Sequence, residues 1–528
     1  MTVYVPETFT SDERAFLERY VTNLDGPVFA LVNLPEVVKG ALFARYSRSP
    51  KSLRRLLLDE FAEDLADRAD QAFGSSRRAE DLYERVFVEY GDDSVAQLGG
   101  VHLACEQASN LLTKVLEWGR LGSYLEQSTR YVAYDSRIGG RYRYHRDPEV
   151  LSGPLGTRYV GDMDRLFDGY GAMLEAVTAH VRRTVPRDAG DSDFVWRQAT
   201  RAKALDAVRG VLPAAALSNV GIYASGQAYE TLLLRMRSHP LPEARRYADL
   251  MLHELREVIP AFLRRVDMPE RGGVWSDYLA RTRDETLRLV DGELGGVAPA
   301  DAPEVTLVDH DPDAEIKVLA AICYPYSDLP ETQILDEVRT MDAETRAGIL
   351  RAYVGDRANR RHRPGRAFER VSYRFDVLGD YGAFRDLQRH RLLTIEWQRL
   401  TPNHGYVMPD LVAEAGQADA FSEAMTRSAD LYASMLVRHP RQASYAVAMA
   451  HRMRYSMQFN LREAMHLIEL RSSAQGHPSY RRVALEMHRQ IAEVAGHRAL
   501  ARTMTHVTTQ APELERLEAE RRTEARRS

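Results

Sequence analysis

Three clusters in this chain carry side chains that could do chemistry. At Glu126-Gln127-Ser128-Thr129-Arg130 a hydroxyl, backbone N–H groups and a guanidinium lie within five residues. Such a segment can grip a phosphate, because arginine offers a charged bidentate fork and a short loop adds donors at close range. An ordinary polar turn is the alternative. At Arg389-His390-Arg391 two cations flank a titratable ring, which suits a polyanionic ligand or a ring with delocalised negative charge, or else an exposed basic helix turn. The third cluster runs from Asn460-Leu461-Arg462-Glu463 through His466 to Leu470-Arg471. At three- and four-residue steps Asn460, Glu463, His466 and Leu467 or Leu470 share one helical face, either a ligand-facing stripe or an interhelical hydrogen-bond seam.

Other chemistries lack their residues. The chain has no HExxH, CxxC, Walker A or glycine-rich dinucleotide motif, so zinc hydrolase, P-loop and Rossmann functions are unsupported and no metal site is expected. Cys105 and Cys323 sit in apolar stretches without an adjacent histidine or cation pair, as buried small residues do and as activated nucleophiles do not.

Helical patterning dominates the elements that must position these clusters. Apolar residues recur at three- and four-residue spacing over about 51–72, 162–183, 244–265, 420–437 and 480–495, as amphipathic helices require. Strand-like pieces are fewer, at 27–34, 305–308, 316–324 and 370–378. The expected class is helix-rich α+β. Residues 291–303 (DGELGGVAPADAP) are linker-like, residues 137–157 read as a long surface loop and candidate lid, and residues 512–528 read as a solvated or frayed helix.

The chain also repeats itself. Leu234-Arg235 with His239-Pro240 and Ala244-Arg245-Arg246-Tyr247-Ala248 is echoed by Leu470-Arg471 with His477-Pro478 and Tyr480-Arg481-Arg482-Val483-Ala484. Upstream of each lies an arginine-containing block, Trp118 to Tyr131 and Arg389 to Thr401. Two diverged copies of one unit explain this pattern: residues 1–285 and 305–505, with a linker at 286–304 and a charged tail at 506–528.

Length and charge agree. A chain of 528 residues, 44% hydrophobic and 28% charged, has the length for several packed units and the composition of a globular protein. Its net charge of −5 gives no overall footprint for nucleic acid or an anionic membrane. Only five lysines stand against 66 arginines, so an isolated arginine says little. Two cysteines, no signal pattern and no long apolar run are expected of a soluble cytoplasmic protein.

These residues resemble the flavin-dependent thymidylate synthases, whose signature places Arg-His-Arg ahead of a Ser-x-Arg-Tyr segment. The second half keeps Arg389-His390-Arg391, and the first keeps Ser123 to Tyr131 with Ser128-Thr129-Arg130-Tyr131. The likeness covers roughly 35–265 and 305–500, and implies two tandem copies of the family fold forming a pseudo-dimer, two chains then imitating the family tetramer as a homodimer. It implies methylation of dUMP to dTMP with methylenetetrahydrofolate, FAD as hydride carrier and NADPH as reductant. The alternatives are a flavin-dependent methylase or hydroxymethylase of another pyrimidine nucleotide and an inactive nucleotide-binding paralogue.

Residue by residue, the resemblance makes Arg471 and Ser128 catalytic. Arg471 would stabilise the uracil ring ionised at N3, and Ser128 would orient phosphate or ring. Substrate contacts fall to Glu126, Gln127, Ser128, Thr129, Arg130, Arg209 (ahead of Leu212-Pro213), Arg389 and Arg471. Flavin contacts fall to Arg389, His390, Arg391, Asn460, Arg462, His466 and Glu369. Trp118-Gly119-Arg120 stands in the first half's Arg-His-Arg slot, and Arg399 and Thr401 replace Ser and Arg in the second. One composite set is therefore complete and its twin degenerate.

Overall fold

Serine, aspartate and asparagine at the ends of apolar strands set where the main helices begin, because a short polar side chain satisfies an orphan N–H of the first turn. The computed structural model describes residues 4–34, 36–46, 49–66, 99–510 and 513–525. It forms two compact units.

The first unit comprises Met1–Met173, Val211–Pro299 and Asp419–Ala448. Its sheet holds β1 (Val28–Leu31), β2 (Gly100–Ser109), β3 (Ser123–Glu126) and β4 (Leu217–Ser225), all antiparallel in the order β1-β2-β4-β3. Ser109, the last residue of β2, caps helix α1 (Asn110–Leu116), and Ser225, the last of β4, caps α2 (Gly226–Arg237). Helix α3 (Pro242–Arg256) follows.

The second unit comprises Leu174–Gly210, Ala300–Ala418 and Met449–Ser528. Strands β5 (Val305–His310), β6 (Ser372–Asp380), β7 (Leu393–Trp397) and β8 (Arg452–Asn460) are antiparallel in the order β5-β6-β8-β7, the same topology again. Asp380 caps α4 (Tyr381–Leu387), Asn460 caps α5 (Leu461–Arg471), and α6 (Pro478–Glu493) follows. The molecule is thus helix-rich α+β built twice on one plan. Each unit also takes in a segment from the other half of the chain, 419–448 in the first and 174–210 in the second.

The repeated His-Pro pair has a local purpose. His239 Nδ1 accepts the Leu241 N–H at 3.1 Å, and His477 Nδ1 accepts the Ser479 N–H at 3.2 Å. Each ring supports the entry to a helix that opens with proline, where the missing N–H costs nothing.

Several elements depart from expectation. Residues 316–324 are not a strand: Ala314–Cys323 is a helix, with Ala314, Val318 and Ile322 on its buried face at four-residue spacing. The run at 244–265 is helical only to Arg256, and Pro260 opens a separate 3₁₀ turn. The helix foreseen at 51–72 begins at Leu53 and is described to Ala66, residues 67–72 lying outside the described residues. The stretch 137–157 contains the bridge Ile138–Arg141 and a short helix, Pro148–Ser152. The tail is pinned within the second unit: buried Arg516 pairs with Asp206 at 3.2 Å, and Arg521 with Asp191 at 2.5 Å. Cys105 is fully buried, as expected, but Cys323 is only half-buried.

Capping can be tested at Asn460. Its Oδ1 accepts the Glu463 N–H at 2.9 Å. Asn460→Ala is expected to cost about 1 kcal/mol of stability, whereas Asn460→Asp keeps an acceptor and the wild-type unfolding midpoint in urea.

Candidate active site

The second unit gathers arginine, histidine and carboxylate side chains around the start and end of α5. His390, just beyond α4, is buried. Its Nδ1 lies 2.7 Å from Glu463 Oε1, and its Nε2 accepts the Arg471 Nε–H at 3.0 Å. A guanidinium only donates, so the Nε2 facing it carries a lone pair. Burial and the neighbouring Arg471 hold His390 well below the usual histidine range, so the ring is neutral and its proton sits on Nδ1. Burial pushes Glu463 up to about 7 against the pull of Arg363, Arg462 and Arg471.

Asp386 links two of the expected substrate arginines. Its carboxylate lies 3.4 Å from Arg209 Nη1, and its carbonyl accepts from Arg471 Nη2. Arg209 is buried and also donates to the Gly382 carbonyl at 3.2 Å. Thus Arg209, although drawn from the first half of the sequence, packs in the second unit with Arg471 and His390. Arg389 and Arg391 are exposed on either side of His390.

Of the remaining expected flavin residues, Asn460 caps α5, Arg462 and His466 lie on it, and Glu369 ends the 3₁₀ turn Arg366–Glu369. Arg462 Nε donates to the Pro364 carbonyl at 2.9 Å, and its Nη1 lies 3.5 Å from Glu369. His466 stands 5.2 Å from His390, ring to ring, with Arg363 Nη2 3.0 Å from its Nδ1. Burial and that arginine push His466 down to about 4. His390, Glu463 and His466 bring possible ligand atoms within 4.8 Å of one another. Both ring nitrogens of His390 are already engaged, however, and the surrounding guanidinium groups oppose a cation, so the local field favours an anion.

Residues 126–130 belong to the first unit. Glu126 is buried beside Lys114, which lies 3.2 Å from Glu126 and 2.6 Å from Glu117. Gln127 is buried and donates to the Ser49 carbonyl at 2.6 Å. Thr129 is buried, while Ser128 and Arg130 remain half-buried in the turn after β3, where Ser128 Oγ accepts the Arg130 N–H at 3.3 Å. Ser128 and Arg130 are the two side chains of this segment best placed to meet a ligand.

The thymidylate synthase complementing protein model matches residues 41–261 and again 306–496. The chain belongs to this family. Its family domain is present twice, as the repeated sheet order requires. The chain is similar to a UPF0159 protein of Chlamydia pneumoniae, with 40% identity over 92% of this chain and 93% of that one. A UPF0159 protein of Thermoplasma acidophilum is 32% identical over 91% of this chain and 97% of its own. Among solved structures, the UMP/dUMP methylase PolB from Streptomyces cacaoi, bound with 5-Br dUMP, matches 39% of this chain and 97% of its own at 19% identity and a TM-score of 0.30.

The two family domains have diverged at the site itself. Counting nine residues beyond the caps Ser109 and Asp380 places Trp118 against Arg389 and, one further, Gly119 against His390. Eleven beyond Ser225 and Asn460 stand Met236 and Arg471, so by this count Arg235 of the echoed Leu-Arg pair falls one position short of Arg471. With no ring at Gly119 to receive it, the guanidinium of Arg235 lies on the Trp118 indole, 3.3 Å from the ring centroid. The first domain therefore has no counterpart of the His390–Arg471 bond.

Asp386 and Glu463 join this cluster without standing among the substrate or flavin contacts expected from the sequence. Glu463 was visible on the polar face of α5, but its partner stands 73 positions away. No motif marks Asp386.

Proposed function

We propose that this protein is a flavin-dependent thymidylate synthase-like methyltransferase that converts dUMP to dTMP with methylenetetrahydrofolate, using FAD and NADPH. The observation that carries this reading is the Arg209–Asp386–Arg471–His390 network, which holds two guanidinium groups on one carboxyl-bearing residue. Family membership supports the substrate class.

In this reading Arg471 stabilises negative charge on a uracil ring ionised at N3, raising nucleophilicity at C5. Arg209 contributes a phosphate contact beside Arg471; Arg130 and Ser128, in the first unit, are the candidate phosphate-binding guanidinium and hydroxyl of the turn after β3. Arg389, His390, Arg391, Asn460, Arg462, His466 and Glu369 are the candidate flavin contacts. The donor set fits a dinucleotide bearing a diphosphate: Arg389 and Arg391 are exposed beside a neutral imidazole, and Arg363 and Arg462 flank His466 and Glu369. FAD, when bound and reduced, supplies the hydride.

No thiol is required. Cys105 is fully buried, and burial together with Glu106 pushes its thiol far above the usual range. Cys105→Ala and Cys323→Ala are each expected to leave turnover unchanged.

The test is purification of the full chain with its flavin absorbance recorded, followed by tritium release from C5-labelled dUMP with methylenetetrahydrofolate and NADPH. UMP and dCMP run alongside identify the pyrimidine. Failure to bind flavin, together with no release even after added FAD, removes the reading.

A further inference from the structure

Glu463 has no part in the chemistry proposed for the nucleotide or the flavin, yet it is a buried carboxylate one imidazole away from Arg471. We propose that Glu463 is a positioning residue for Arg471, acting through the tautomer of His390. The proposal rests on the charge-stabilising role of Arg471.

Proton positions connect the three side chains. Arg471 Nε can only donate, so it is held when His390 Nε2 offers a lone pair. Ionised Glu463 accepts the Nδ1–H of His390 and so selects that tautomer. Protonated Glu463 can instead donate to Nδ1, which moves the ring proton to Nε2 and sets donor against donor at Arg471. The consequence reaches the guanidinium plane, because Nε and Nη2 are the two nitrogens of one edge, held by His390 and by the Asp386 carbonyl. Fixing that edge fixes the direction of the Nη1 end.

The sequence builds this placement locally. Asn460 caps α5 by accepting the Glu463 N–H, which locks Glu463 into the first turn. There the helix N-terminus favours a negative charge. The charged groups facing Glu463 are Arg363, Arg462 and Arg471, and the charged or titratable groups facing His390 are Arg471, His466, Arg363 and Asp386. The arginines favour the ionised carboxylate and desolvation opposes them, leaving Glu463 at about 7, where a change of pH alters its state.

The experiment compares the full-length wild type with Glu463→Gln and Glu463→Ala. Wild-type kcat is expected to rise with pH through about 7 as Glu463 ionises. Glu463→Gln, nearly isosteric, retains an acceptor but no titration, so this limb flattens. Glu463→Ala is expected to lose about ten- to a hundredfold in kcat, the scale of leaving a buried donor unpaired, with less change in KM for dUMP.

Nitrogen NMR on protein labelled at its histidine rings gives a readout independent of turnover. It should show His390 protonated on Nδ1 in the wild type and redistributed towards Nε2 in Glu463→Ala. An unchanged acidic limb in Glu463→Gln, or an unchanged tautomer in Glu463→Ala, overturns the proposal. If the wild type converts no pyrimidine nucleotide, the proposed activity falls, while the NMR arm still decides whether Glu463 sets the His390–Arg471 bond.

Discussion

Arg471→Ala is expected to lower tritium release from C5-labelled dUMP by about 10²- to 10³-fold, the range associated with removing one preorganised donor from developing negative charge. Melting temperature is expected to move far less, since Arg471 is half-buried and its partners include a neutral imidazole and a backbone carbonyl, neither of which becomes a stranded charge. Lysine should not rescue it. The two bonds to His390 Nε2 and the Asp386 carbonyl use two nitrogens of one planar edge, and a single ammonium has no such edge. Arg471→Lys is therefore expected to fall near Arg471→Ala in kcat. The measurement is kcat and KM for dUMP with flavin content determined in parallel. Loss confined to flavin binding would contradict a charge-stabilising role for the guanidinium.

A second large effect is expected away from the chemistry, at Arg357. Its two terminal nitrogens each lie 2.6 Å from an oxygen of Glu469, with both side chains 1% exposed. Arg357 Nη1 also donates to the Thr503 carbonyl, and Glu469 also accepts the His506 N–H. Removing one member strands a buried charge, which costs about 3–5 kcal/mol. Glu469 stands on α5, between His466 and Arg471, so the pair anchors the helix that carries the candidate site. Arg357→Ala is expected to destabilise the full chain by that amount in urea unfolding. The double replacement Arg357→Met with Glu469→Leu should cost clearly less than the two single replacements together, because it leaves neither charge unpaired.

The sequence made legible whatever is local or periodic. The polar face of α5 stands out at three- and four-residue spacing, and the family domain is visible twice through its motifs. The alternation of β8 is present but disguised: Met453, Tyr455, Met457 and Phe459 point inward, while three of the five residues that alternate with them, Arg452, Arg454 and Gln458, are long polar chains of weak strand preference. Residues 316–324 misled because a short apolar run fits a strand or a buried helix equally, and only the four-residue step from Ala314 to Val318 to Ile322 separates them. Contacts across long stretches of chain left no trace at all. Nothing near Glu463 signals His390, nothing near Arg209 signals Asp386, and the packing of 174–210 with the second unit follows from neither segment alone. Lys114 shows the same limit, since nothing in the sequence around Glu126 signals its buried pairing with that lysine.

The traded segments also govern how this protein can be made. A chain leaving the ribosome usually completes its amino-terminal domain first. Here the first unit includes 419–448, most of it the helix Ala418–Arg438, so it stays unfinished until Ala448 has been synthesised. Both units therefore close late and nearly together. A stop codon in the linker would release a polypeptide that lacks the 419–448 part of its own unit.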